Sequence, residues 1–185
     1  MAVTSTETRI ESLAEVAEHL DVPDGTRVEI VDGSIVVSLT AFGRDAKIVW
    51  LLENALRPAL PNGALDVRRV TVEIARTGER YVPGLVVLPE SEIQNDERLY
   101  SAEACLLAVE VTSPSNPGND RVQKLRGYAR AGVPLYLLVD AVERTVSLFG
   151  DPVNGVYVAH ATVPYGGKIR IPEPFDVTID TAEFP

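Results

Sequence analysis

One cysteine, one methionine, one tryptophan and two histidines in 185 residues leave several chemistries without material. The lone Cys105 excludes an internal disulfide framework and a cysteine zinc cluster, and its place at the head of an apolar run predicts a small buried side chain. His19 and His160 stand far apart with no HExxH-type partner, so each is expected to be an ordinary exposed or hydrogen-bonded histidine. No P-loop and no GxGxxG occurs, which removes support for nucleotide cofactors. Ser113 and Ser115 lack a GxSxG elbow and a nearby His, and read as turn residues. No apolar run is long enough to cross a bilayer, so no membrane partner is expected. The first twenty residues lack a basic region followed by an apolar one, so a cytoplasmic location is expected rather than secretion. Basic charge is also short: the net charge is −10, whereas proteins that bind phosphate backbones present a basic face.

What remains is an ordinary globular composition, 45% hydrophobic and 24% charged, in a chain long enough for one domain with a substantial core. Residues 8–20 have helical apolar spacing and predict an N-terminal helical extension over 1–22, ahead of a main domain over 23–185. Arg27–Ile30 and Ile35–Leu39 flank Val31-Asp32-Gly33-Ser34, a hairpin signal. Lys47–Leu60 carries Ile48, Leu51, Leu52, Ala55 and Leu56 at helical spacing, with Trp50 in the apolar pattern and expected in the core. Leu65–Ala75 and Tyr81–Leu88 read as strands around Thr77-Gly78-Glu79, followed by a strand over 105–112 and a helix over 119–131 stopped by Gly132 and Pro134. Leu135–Asp140, Thr145–Phe149 and a strand-like tail over 155–179 complete the order αββαβββαβββ. The expected fold class is α/β (α+β), a mixed β-sheet flanked by two main helices.

The most informative stretch is Leu106-Leu107-Ala108-Val109-Glu110-Val111-Thr112-Ser113-Pro114-Ser115, with Asp120, Lys124 and Tyr128 after it. The apolar run predicts a buried strand, and a carboxylate near its end is costly to bury unless a cation or strong donors meet it. Asp120, Lys124 and Tyr128 recur every four residues and so share one helix face. A carboxylate on a strand, a sharp turn and a cation on the next helix suit a metal-dependent site. The residues alone leave a bland alternative open. Glu110 could end a strand on backbone N–H groups, Asp120 and Lys124 could be a surface pair, and Tyr128 could pack against the sheet. Arg121 and Arg130 read as parts of a solvated face.

Several segments together resemble the Uma-two family of bacterial restriction endonucleases, in the PD-(D/E)xK nuclease superfamily. They are Val28-Glu29-Ile30-Val31-Asp32-Gly33, Tyr81-Val82-Pro83-Gly84-Leu85-Val86-Val87, Val109-Glu110-Val111-Thr112-Ser113-Pro114-Ser115, then Asp120, Lys124, Tyr128 and the run from Ala131 to Asp140. The resemblance covers roughly residues 23 to 180 and implies a restriction endonuclease-like fold and Mg²⁺-dependent (or Mn²⁺-dependent) hydrolysis of DNA, commonly by a homodimer. It implies catalytic roles for Glu110 and Lys124, metal ligation by Glu110 and the backbone carbonyl of Val111, and supporting roles for Asp120 and Tyr128. The ion would lower the pKa of the attacking water and stabilise charge on the phosphate.

Two positions depart from the family pattern. The family's Pro-Asp is Pro83-Gly84 here, so the principal metal carboxylate is missing, and Asp45 stands where many relatives carry a His. Glu73 is the candidate replacement, on the expectation that the strands around Gly78-Glu79 place it opposite Gly84; Glu29 is a second candidate. A slip of one residue in that register would turn Glu73 to the other face. The reading is therefore a DNA endonuclease impaired at Gly84, or a catalytically inactive nuclease-fold module that binds a partner.

Overall fold

The computed structural model describes residues 12–39, 43–93, 99–112 and 117–185. A six-stranded sheet forms its centre because strands in the middle of the chain are apolar on both faces. Thirteen strands and three α-helices make up the described chain, in the order α1 (Leu13–His19), β1 (Thr26–Val31), β2 (Ser34–Leu39), α2 (Gly43–Leu56), β3 (Ala64–Val67), β4 (Thr71–Ile74), β5 (Glu79–Tyr81), β6 (Leu85–Pro89), β7 (Leu99–Ser101), β8 (Leu107–Val111), α3 (Leu125–Ala131), β9 (Leu135–Asp140), β10 (Thr145–Val153), β11 (Val156–Pro164), β12 (Lys168–Ile171) and β13 (Val177–Asp180). The central sheet has the order β11-β10-β9-β8-β6-β3, a second sheet the order β2-β1-β5-β4-β7, and β12 pairs with β13. Among the described strands, only the pairs β8–β9 and β4–β7 are parallel. The crossover between β8 and β9 carries α3, as a parallel connection requires.

Alternation along the central strands feeds two cores. Leu85, Val87, Leu107, Val109, Val111, Leu135, Leu137 and Val139 face α2, packing against Ile48, Val49, Leu52 and Leu56. Val86, Leu88, Ala108, Tyr136 and Leu138 face the other way, toward Tyr128 of α3 and Val72, Ile74 and Tyr81 of the second sheet. Cys105 is buried, as expected. Trp50 is not in the core; it is 56% exposed, because α2 turns Ile48, Val49 and Leu52 inward instead.

Local chemistry accounts for the boundaries. Ser12 and Glu15 form a capping box that starts α1, while the rest of the expected start at 8–11 lies outside the described residues. Asp32 and Gly33 both have positive φ (48° and 71°), the geometry a two-residue hairpin turn needs. Helix α2 begins four residues before the expected Lys47 and passes at Arg57 into a 3₁₀ turn over Arg57–Ala59, where Pro58 sits. The expected helix over 119–131 divides into a π-helical segment, Asn119–Lys124, and α3. Strand β7 carried too short a pattern to be read from sequence.

The largest difference lies at the expected hairpin of Leu65–Ala75 with Tyr81–Leu88. Each arm is two strands that change sheets: β3 pairs with β6 in the central sheet, and β4 pairs with β5 in the second. Arg69, at φ 61°, breaks the first arm, and Val82-Pro83-Gly84 breaks the second, where proline offers no N–H to a ladder. Glu73 consequently stands opposite Arg80, not Gly84. The expected register is corrected because the turn lies earlier, over 75–78, with Glu79 already in β5 opposite Ile74.

A close approach ties this hairpin to α3. A Cβ added at Gly127 would lie 2.8 Å from the Tyr81 ring carbons and against its hydroxyl, and Tyr81 is fully buried. Gly127→Ala is therefore expected to lower unfolding free energy in urea by about 1–3 kcal/mol, as overpacking does. The loss should be smaller when measured in a Tyr81→Leu background; simple additivity of the two changes would show that the ring contact is not its cause.

Candidate active site

Glu110 is the last side chain of β8 to face α3 before the strand ends, and it is 1% exposed. Lys124, at the end of the π-helical segment, reaches it with Nζ 3.0 Å from Glu110 Oε1. The same ammonium lies 2.8 Å from Glu29 Oε1 on β1 and 3.1 Å from Asp120 Oδ1 one turn earlier. Lys124, Glu29 and Asp120 are 1%, 3% and 3% exposed, so the surface-pair alternative for Asp120 and Lys124 does not hold. Single π-helical turns recur at functional sites in proteins, and this one places a lysine inside the fold.

Each carboxylate has further support. The Tyr128 hydroxyl donates to Glu110 Oε1 at 3.0 Å, and the Val82 N–H donates to Glu29 Oε1 at 2.8 Å. Arg27 Nε lies 3.3 Å from Glu29 Oε2. The Tyr136 hydroxyl donates to the backbone carbonyl of Asp120 at 2.9 Å and holds the segment that carries it. Asp120, Lys124 and Tyr128 thus share the face that their spacing predicted, and all three converge on Glu110 or its ammonium partner.

Electrostatics follow from a simple count. Three buried carboxylates face two cations, Lys124 and Arg27, leaving one negative charge in surplus. Burial pushes the Glu110 carboxyl up to about 7, against the pull of Lys124, and Asp120 and Glu29 add to the rise. Burial also works against the Lys124 ammonium, but Glu110, Glu29 and Asp120 outweigh it and hold its pKa above the ordinary lysine value. Glu29 is likewise penalised by burial, yet Lys124 and Arg27 keep its carboxyl below the usual range. Among the described residues, Glu110 Oε2 has no hydrogen-bond partner, and neither does the buried hydroxyl of Thr112.

The remaining candidates lie elsewhere. Glu73 is on the second sheet, with Arg80 Nε 2.8 Å from its carboxylate, and Arg80 also holds Glu18 at 2.6 Å. The nearest atoms to a Cβ at Gly84 are Val49 Cγ2 at 3.3 Å, the Val109 carbonyl at 3.4 Å and Val111 Cγ2 at 3.9 Å. A side chain at 84 would start among the valines of the α2 face, whereas Glu110 leaves β8 on the opposite face. Asp45 is buried one turn before Val49, with Oδ1 lacking a hydrogen-bond partner among the described residues and Arg44 Nε 3.6 Å away. Arg121 is not simply solvated: its guanidinium makes a paired contact with Asp140 at 2.6 and 3.0 Å. The loop 113–116, with Ser113 and Ser115, lies outside the described residues. Glu29 is the residue that sequence reasoning undervalued; its signal was a carboxylate at a strand position flanked by Val28 and Ile30.

Among the described residues, no group of three or more His, Cys, Asp or Glu is arranged to hold a metal ion. The carboxylates nearest to such an arrangement are already gathered on Lys124. As they stand, the residues do not fit the divalent ion that the family resemblance implies.

Two measurements test this arrangement. Lys124→Met would leave three buried carboxylates facing Arg27 alone, and is expected to cost about 3–5 kcal/mol in urea unfolding. Between 4.5 and about 7, folded Glu110 holds a proton that the unfolded chain has released, so its contribution to stability falls as pH rises through that window. Glu110→Gln should remove this part of the pH slope; a native slope unchanged by the substitution would contradict the burial of the charge.

Comparison with known proteins gives the family of the chain. The model of the Uma2 family, described as "Putative restriction endonuclease", matches residues 14–182. Among solved structures, a putative nuclease of DUF820 from Anabaena variabilis ATCC 29413 is similar, with a TM-score of 0.70 at 16% sequence identity over 95% of this chain and 97% of that one, a likeness of fold. No curated protein matches. With most of its length covered by that family's model, the chain belongs to the Uma2 family of putative restriction endonucleases.

Proposed function

We propose that this chain is a DNA endonuclease of low activity, a phosphodiester hydrolase that depends on Glu110 and Lys124. The carrying observation is that these two residues, from a strand and a helix fourteen positions apart, meet at 3.0 Å. They do so near the carboxyl ends of the parallel pair β8–β9, where α/β sheets place their ligands. A carboxyl held near neutral pH by burial is poised to accept a proton from attacking water, and a fixed ammonium can oppose charge that develops on a phosphate oxygen. Tyr128 and Asp120 position the pair. Mg²⁺ or Mn²⁺ is the cofactor that family membership suggests, but the described residues as arranged do not fit it. Low activity follows from the same geometry: Glu110 and Lys124 are each 1% exposed, and Lys124 is shared among three carboxylates. Cleavage of both strands would call for a homodimer.

A second reading has its own support. The closed centre and the apolar surroundings of Gly84 fit a nuclease-fold module that binds a partner without cutting. A plasmid assay in Mg²⁺ or Mn²⁺ separates the two. Slow nicking by the native chain is expected, with Glu110→Ala reducing it by about a hundredfold or more. Gly84→Asp should not raise the rate, because its carboxylate would enter between Val49 and Val111 and lower stability by about 1–3 kcal/mol. No cleavage by any of the three folded proteins would favour the binding module.

A further inference from the structure

The place where the carboxylates of Glu29, Glu110 and Asp120 converge is filled by Lys124 Nζ, at 2.8, 3.0 and 3.1 Å. We infer that Lys124 Nζ is the resident cation of this cage and occupies the place that a divalent ion would need, so that the native chain excludes a metal ion there and loss of the ammonium admits one. The inference goes beyond the proposed function and holds whether or not the chain cuts DNA.

Three features carry it. The first is donor chemistry: hard cations such as Mn²⁺, Ca²⁺ and Mg²⁺ take oxygen ligands, and three carboxylate oxygens already point at one spot. The oxygens would need to close in by roughly half an ångström to reach the Ca²⁺ range, and somewhat more for smaller ions. The second is charge. Without Lys124, the three carboxylates and Arg27 carry a surplus of two negative charges, which a divalent ion cancels. The third is a spare ligand: Glu110 Oε2 is buried, belongs to the cage and has no hydrogen-bond partner among the described residues. The Val82 N–H and the Tyr128 hydroxyl already fix Glu29 and Glu110, as outer partners do around ligating groups.

Manganese binding, followed by the paramagnetic resonance of free Mn²⁺ and by thermal melting, tests the inference on the full chain. Lys124→Ala should bind one more Mn²⁺ per chain than the native protein and melt higher when Mn²⁺ is present. Adding Glu110→Gln should remove that ion, and adding Tyr128→Phe should weaken it by about 10–100-fold. Lys124→Ser, whose hydroxyl can donate to one carboxylate, serves as a second variant, and both are refolded with and without Mn²⁺. Recovery of the fold only with Mn²⁺ supports the inference. It is overturned if the native chain binds an ion that Glu110→Gln abolishes, if folded variants gain none, or if neither variant folds even with Mn²⁺. Plasmid cleavage plays no part in this readout, so silence in the nuclease assay would sink the proposed activity and leave the cation result standing.

Discussion

A single ammonium holds together three parts of the chain that are remote in sequence. Glu29 comes from the first hairpin, Glu110 from the middle of the central sheet and Asp120 from the turn of helix that follows it, and Lys124 touches all three. Taking a carboxylate out of water costs several kcal/mol, and three together are tolerable only with a cation at their centre. Such a cluster adds less net stability than an apolar core of the same volume. Its effect is positional: β1 of the second sheet, β8 of the central sheet and the π-helical segment meet in one arrangement because any other strands a buried charge.

The change of sheet at 82–84 belongs to the same arrangement. Where the second arm of the long hairpin leaves β5, the Val82 N–H turns to Glu29. A break that would otherwise leave a backbone donor unsatisfied thereby supplies a hydrogen bond to the cage. Pro83 brings no N–H to satisfy, and Gly84 donates to the Val109 carbonyl at 2.9 Å before the ladder of β6 and β8 begins. The irregularity between the two sheets and the ion cluster are therefore coupled, and the close packing of Gly127 on Tyr81 fixes α3 beside both.

Much of this was legible in the residues. The run from Leu106 to Thr112 and the run from Leu135 to Asp140 are apolar without alternation, which implies a sheet covered on both faces, and both faces are covered. The four-residue spacing of Asp120, Lys124 and Tyr128 survived even though the helix there opens into a π turn, since the three side chains still meet Glu110 or Lys124. The pairing of Glu73 was not legible. It depends on a turn that lies earlier than Thr77-Gly78-Glu79 suggests, and on two strand breaks that read as continuous β pattern. Nor could local sequence show that Glu29 completes the cage, because that contact spans 95 positions between Glu29 and Lys124. Trp50 was misplaced for a plainer reason: an apolar residue on a helix obeys the helix's phase, and Ile48, Val49 and Leu52 already fill the inward face.

The charge balance of the cluster rests on Lys124 and not on position 84. A centre that waits for a metal ion leaves its carboxylates uncompensated until the ion arrives, and its stability then follows the ion's concentration. Here the compensation is covalently part of the chain. The cluster is closed with two cations against three carboxylates, and the surplus is relieved by a carboxyl whose pKa burial has moved to about 7. Position 84, which has no side chain and faces valines, takes no part in that balance. Folding is thereby separated from metal supply, and the cost falls on reactivity: an ammonium bound by three carboxylates is poorly placed to serve a phosphate. If the chain cuts DNA as proposed, it does so with an ammonium already shared among three carboxylates, which is why the rate is expected to be low.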